Sequence, residues 1–216
     1  MSETKKIGIT LRMEHIEKYN EKRDAISHDW VKFLSISNVF PIFIPNNLKD
    51  VKHFIKTMNL DGIILSGGDN KGDDFERDNT EKEIIELAIK DKIPLLGVCR
   101  GMQVLNDFFG GSLSISNDSN HVAKHHEIEL LGIIPEKLFN SKKIEVNSFH
   151  NNLINKTSLG NDLQEFAVSE NDNTIEGFYH KNFPIMGVMW HPEREENYQN
   201  ELKIMKCFYE KLFWNE

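Results

Sequence analysis

Along the first half of the chain, short apolar runs alternate with stretches in which apolar residues recur at helical spacing. The runs at 6–11, 40–44, 63–65 and 93–98 are rich in Ile, Leu, Val and Phe, as strands buried on both faces require. Residues 24–37, 48–58, 80–90 and 102–109 carry the helical period, and Pro45 closes the second strand. Such alternation predicts parallel strands joined by crossover helices. After residue 126 the pattern changes to short strands, expected at 127–131, 143–147, 165–169, 175–179 and 185–189. Residues 195–213 then read as a closing helix. The expected architecture is a single α/β domain over residues 1–216. It has a central, mostly parallel sheet with helices on both faces and additional short strands in the C-terminal half. No internal repeat, linker or low-complexity tract interrupts it.

Composition narrows the function classes. A chain of 216 residues falls in the one-domain range and can bury a sizeable core. The net charge of −8, with no Lys/Arg block, argues against a nucleic-acid or anionic-membrane surface. Cys99 and Cys207, the two cysteines, cannot build a disulfide framework and suit a reducing compartment. The N-terminal residues lack the long apolar region of a signal peptide, and no run approaches membrane-spanning length. A cytoplasmic protein is expected, with a homodimer compatible with the sequence.

Candidate chemistry begins at Gly97-Val98-Cys99-Arg100-Gly101-Met102-Gln103. This segment follows an apolar strand and precedes a helix, which puts Cys99 on a strand-to-helix turn of the nucleophile-elbow type. Glycines on either side allow a sharp bend and keep side chains away from the sulfur. A thiol at a helix N-terminus also gains from unpaired N–H groups and the macrodipole, which favour thiolate. The thiol is expected to be partly exposed. A second strand ends in Trp190-His191-Pro192-Glu193. Proline biases its predecessor towards extended geometry, so His191 and Glu193 are expected to project to one side of a stiffened segment. A carboxylate on one imidazole nitrogen leaves the other to exchange a proton with the thiol.

Together these two motifs resemble the class I glutamine amidotransferase superfamily, with its Cys-His-Glu triad. Ser66-Gly67-Gly68-Asp69 resembles the superfamily's oxyanion loop. Arg77-Asp78-x-x-Glu81, Gly110-Gly111-Ser112-Leu113, His121 and Val146-Asn147-Ser148-x-His150 are similar to the branch of stand-alone γ-glutamyl hydrolases, peptidase C26. The resemblance spans residues 7–193 and implies a γ-glutamyl thioester on Cys99, formed and hydrolysed without metal or cofactor. Backbone N–H groups of Gly68 and Arg100 would hold the oxyanion; each such donor is worth on the order of 3 kcal/mol in the transition state. His191 would protonate the departing amine and Glu193 would hold His191.

Gln103 lies one helical turn after Cys99, on the same face, and is a candidate for the α-amino or α-carboxylate end of a glutamyl group. Ser148 and His150 are candidates for the loop lining that pocket. Arg77 is a candidate for the leaving group, while Asp78 reads as a helix cap. His121, His125 and His126 lack an acidic or Cys ligand at recognisable spacing, and Cys207 reads as core.

Three functions compete: a γ-glutamyl amide hydrolase, a glutaminase subunit passing ammonia to a synthetase partner, and a catalytically dead regulatory relative. The complete triad disfavours the last. Asn151-Asn152 after His150 departs from the His-Gly-Phe type sequence of glutaminases and disfavours free glutamine. Segments 22–30 and 41–47 resemble a subgroup associated with surface polysaccharides, which includes hydrolases of γ-glutamyl nucleotide amidates. For such a leaving group Arg12, Arg23 and Arg77 are the candidate phosphate partners.

Overall fold

In the computed structural model, which describes residues 4–115 and 122–214, the chain builds a nine-stranded sheet flanked by helices. Strand β1 (Lys5–Thr10) is followed by a hairpin of β2 (Arg12–Ile16) and β3 (Glu21–Ala25). Helix α1 (His28–Ile36), β4 (Val39–Ile44), α2 (Val51–Met58) and β5 (Gly62–Leu65) come next. Then come α3 (Phe75–Asp91), β6 (Leu95–Val98), α4 (Arg100–Phe108) and the short β7 (Ser114–Ile115). Strand β8 (Val122–Leu130), α5 (Ile133–Phe139), β9 (Lys143–Phe149) and the short β10 (Asn152–Leu153) follow. Strands β11 (Leu163–Ser169), β12 (Ile175–His180) and β13 (Ile185–Val188) lead to α6 (Gln199–Glu210).

The strand order is β4-β1-β5-β6-β13-β12-β11-β8-β9. The run from β4 to β13 is parallel, in the doubly wound flavodoxin-like order. From β13 to β9 every pairing is antiparallel. One core layer packs Trp30, Phe33 and Leu34 of α1 and Ile204, Met205 and Phe208 of α6 against the sheet. On the other face Ile55 of α2, Ile84 and Ile85 of α3 and Leu105 of α4 do the same. Cys207 sits in the first layer, and burial pushes its thiol up to about 12. Among the described residues, no helix is long and apolar enough to cross a membrane.

Several boundaries differ from the sequence expectation. Residues 24–25 belong to the hairpin, and α1 starts only after Ser27, whose hydroxyl caps the helix by accepting from the Asp29 N–H. The hairpin is largely exposed and charged, so it shows no apolar alternation to read. Helix α3 begins at Phe75, and its cap is Asp74, which accepts from the Arg77 N–H; Asp78 is therefore not the cap. Helix α5 lies in a stretch where the sequence pattern predicts no helix. The loops after β1, β5, β6 and β13 all leave the carboxyl edge of the parallel strands, where open α/β sheets bind ligands.

Candidate active site

Cys99 joins β6 to α4 with φ 49° and ψ −104°, an unfavourable conformation for a residue with a side chain, costing on the order of 1–3 kcal/mol. Its N–H donates to Val188 O of β13 at 2.8 Å, which ties the turn to the neighbouring strand. The glycines around it work by close contact. A Cβ on Gly101 would lie 2.1 Å from Leu65 O, and one on Gly97 would meet Gly101 itself at 2.6 Å. They let the first turn of α4 press onto β5 and β6, while Cys99 carries the positive φ. The cysteine is 6 % exposed, more enclosed than the sequence suggests.

His191 follows β13, and its Nδ1 lies 2.7 Å from Glu193 Oε1. Glu193 reaches back from a 3₁₀ turn, Pro192–Arg194, so the expected stiff extended segment is replaced by a turn with the same pairing. Asn147 clamps the histidine backbone: its Oδ1 accepts from His191 N at 2.9 Å, and its Nδ2 donates to His191 O at 2.8 Å. Phe149 meets the imidazole edge-on at 5.8 Å. Burial alone would depress His191. Hydrogen bonds to Cys99 and Glu193, with the charges of both, override it and raise the imidazole to about 9. An imidazolium beside sulfur is thereby favoured at neutral pH.

The loop after β5 lies against this pair. A Cβ on Gly67 would come within 2.7 Å of His191 Cε1 and 3.6 Å of Cys99 Cβ. Gly68 follows at φ +128°. The Arg100 N–H, at the first position of α4, is one of the donors that a helix start leaves without an intrahelical partner. The arrangement suits an oxyanion formed at a carbonyl attacked by Cys99.

Arg77 is placed behind this loop and not in the pocket. It is 1 % exposed and donates through Nη2 to Ser66 O at 2.9 Å and Gly67 O at 3.0 Å. Its Nε donates to Glu81 Oε1 at 3.1 Å. Arg100 brings its guanidinium to Glu81 and Asp78, and Thr10 Oγ1 donates to Glu81 at 3.0 Å. Burial opposes ionisation of Glu81, but Arg100 and Arg77 outweigh it and hold the carboxyl below its ordinary range. A buried ionic network thus fixes the loop, a role that Arg77-x-x-x-Glu81 hints at only through its one-turn spacing.

Gln103 is buried beside β13, with Nε2 3.7 Å from Met189 Sδ. Its Oε1 accepts from Asn152 Nδ2 at 3.1 Å. Asn152 is not among the site residues the sequence motifs single out. His150 is buried, with Nδ1 3.0 Å from Asn152 O, and Ser148 is buried on β9. Gln103 and His150 thus meet through Asn152. His191 and Glu193 also line a pocket together with Arg12, Trp30, Gly67, Gly68 and Arg194. Arg12 also reaches Asp69 at 3.3 Å, and the Arg194 guanidinium lies 4.6 Å from the centre of the Phe149 ring. Arg23 is held on the exposed hairpin by Glu21 at 2.9 Å. Arg194 gives no sequence signal of this role beyond its proximity to His191, and Trp30 is marked only by the segment 22–30 in which it stands. Among the described residues no cluster of His, Cys, Asp or Glu is arranged to hold a metal ion, and His121 lies outside them.

The chain is similar to known proteins along most of its length. A γ-glutamyl-CDP-amidate hydrolase of Campylobacter jejuni is 39 % identical over 212 residues, covering 93 % of this chain and 95 % of that one. A putative glutamine amidotransferase of Schizosaccharomyces pombe is 39 % identical over 184 residues, covering 73 % and 72 %. Among solved structures, a glutamine amidotransferase of Thermotoga maritima superposes with TM-score 0.65 at 18 % identity, covering 98 % of this chain and 89 % of that one. The Peptidase C26 family model matches residues 6–193. With an elbow cysteine beside a carboxylate-bound histidine at the edge of a doubly wound sheet, the chain belongs to the Peptidase C26 family of cysteine-dependent hydrolases.

Proposed function

We propose that this enzyme hydrolyses γ-glutamyl amides through a thioester on Cys99, and that the amine it releases carries phosphate, as in a γ-glutamyl nucleotide amidate. The observation that carries the proposal is the pairing of the Cys99 thiol with His191, itself bound to Glu193, in a chain similar over nearly its whole length to a γ-glutamyl-CDP-amidate hydrolase. Cys99 thiolate attacks the γ-carbonyl, and the oxyanion is held by the N–H groups of Gly68 and Arg100. The C–N bond breaks as His191 passes its proton to the leaving nitrogen. His191, now neutral, takes a proton from water, which attacks the thioester and frees glutamate and the thiol. The polysaccharide role follows only if the nucleotide substrate is correct. Assaying a panel of γ-glutamyl amides for free glutamate tests the proposal; release of ammonia from glutamine, increased by a synthetase partner, would favour the glutaminase alternative.

His191 must be protonated to expel the amine, so kcat/KM is expected to hold at neutral pH and fall as pH rises through about 9. Glu193→Gln keeps an amide oxygen that can accept from Nδ1 but removes the negative charge that helps to raise this imidazole. The alkaline limb should therefore move to lower pH, and the rate should drop by about 100-fold or more. Glu195 bonds Asn147 instead, and Glu195→Gln should leave the limb in place. A pH–rate profile of the three proteins decides this.

For the leaving group, Arg12 and Arg194 line the pocket beside Gly68 and His191. A hydrogen bond to a charged group contributes about 1.5–3 kcal/mol. Arg12→Ala and Arg194→Ala are thus expected to raise KM for a phosphate-bearing substrate by about tenfold or more, and to spare a neutral γ-glutamyl amide. Arg23→Ala should have no such effect. The loss should shrink with salt, whose screening length is about 10 Å at 0.1 M. Equal effects on charged and neutral substrates would return the assignment to a small amine.

A further inference from the structure

Glu176 stands out as an acid that the mechanism does not use. It lies on β12 next to the strand that delivers His191, with Met189 N donating to its carbonyl at 2.8 Å. The β11–β12 pairing runs from Ala167 opposite Gly177 to Val168 opposite Ile175. That shift leaves Glu176 without a cross-strand partner, the kind of bulge that re-aims a side chain beside an active site. The residue is 0 % exposed, and neither carboxylate oxygen accepts a hydrogen bond among the described residues. Nε2 of His126 and Nε2 of His150 each lie 3.7 Å from Oε1.

The surroundings say what it faces. His150 bonds Asn152, Asn152 bonds Gln103, and Gln103 sits one turn beyond Cys99. Burial first, then the charges of Asp172 and Cys99, push the Glu176 carboxyl well above its ordinary range. A buried carboxylate without a hydrogen-bond donor is costly. A γ-glutamyl group brings a compact cation, its α-ammonium, with three donors. Resting on the γ-glutamyl hydrolase reading above, we propose that Glu176 receives the α-ammonium of the substrate, on the Gln103 side of Cys99. The leaving group then lies towards the pocket lined by Arg12 and Arg194. Glu176 would be a specificity residue that distinguishes γ-glutamyl amides from other acyl amides.

The test compares γ-glutamyl-p-nitroanilide with glutaryl-p-nitroanilide, the same amide without the amino group. Wild-type enzyme is expected to favour the first in kcat/KM by about 100-fold or more, since buried polar groups left unpaired reject such analogues strongly. In Glu176→Gln that ratio should collapse to within about tenfold, chiefly through KM for the γ-glutamyl substrate. A merely structural role would lower both rates in proportion and leave the ratio, which would overturn the proposal. L-glutamate and glutarate as competitive inhibitors give the same comparison without turnover. Glu176→Asp, which keeps the charge, should retain preference for the ammonium at a higher KM, and it serves if the glutamine variant does not fold. Equal use of both substrates by wild type would overturn the proposal without any variant. Wild-type protein that frees glutamate from no γ-glutamyl amide would refute the hydrolase reading itself, whereas an active enzyme whose Glu176→Gln variant keeps its preference refutes Glu176 alone.

Discussion

Cys99→Ala is expected to reduce glutamate release by about six orders of magnitude, the scale on which removal of a nucleophile acts when its partners remain. The fold should persist. Alanine keeps the Cβ that packs near Gly67, and the positive φ at this position is no worse for alanine than for cysteine. The loss would therefore appear in turnover with a thermal midpoint close to that of wild type. The same chemistry can be caught in the act. With His191→Ala and a γ-glutamyl p-nitrophenyl ester, whose phenolate departs without a general acid, acylation can proceed while deacylation stalls for want of a base. Mass spectrometry should then find a γ-glutamyl adduct on the Cys99 peptide. Cys207, buried in α6 with its thiol pushed up to about 12, should remain unmodified. Full activity in Cys99→Ala, or an adduct on Cys207, would end the thioester mechanism.

The second large effect is expected from Glu81→Gln, which touches no substrate. Glu81 is fully buried between the Arg77 and Arg100 guanidiniums. Removing its charge leaves two buried cations, of which Arg77 loses its ion-pair partner. Breaking a buried pair from one side costs about 3–5 kcal/mol, which for a chain of this size lowers the thermal midpoint by about 10 °C. Arg77 also carries Ser66 O and Gly67 O, so the loop supplying Gly68 should loosen and kcat should fall even below the melting range. Because arginine partners hold Glu81 below its ordinary range, its contribution is present above the unfolded carboxylate pKa and lost as pH falls through the lower folded value. The acid limb of stability should accordingly flatten in Glu81→Gln. A denaturation series from neutral to acid pH checks both statements; an unchanged midpoint would show that the network is dispensable.

Of these two residues, Cys99 shows where sequence reasoning succeeds and Glu81 where it does not. The meeting of Cys99 with His191 and Glu193 was legible because each motif is local. The turn at Cys99 is written in the glycines on either side, and the His191–Glu193 pairing in a spacing of two residues. The parallel strands were legible for a related reason, since burial on both faces leaves an unbroken apolar run. The hairpin β2–β3 was not, because an exposed, charged ribbon has no apolar face to mark its register.

By itself, then, the sequence determined the order of the parallel strands' apolar runs, the edge at which their loops converge, and the identity of the thiol, imidazole and carboxylate brought there. Only the tertiary structure decided which charges serve the pocket. Arg12, Arg23 and Arg77 look alike along the chain, yet one lines the pocket, one pairs with Glu21 on the hairpin and one is buried behind the loop after β5. Glu81 and Glu176 likewise look like ordinary acids, although both are fully buried. Their roles come from partners far away in sequence, as where Thr10 donates to Glu81 or His126 approaches Glu176. Local spacing cannot encode such pairs, because the state of a charge in a protein is set by the burial and the neighbours it acquires when the chain closes around it.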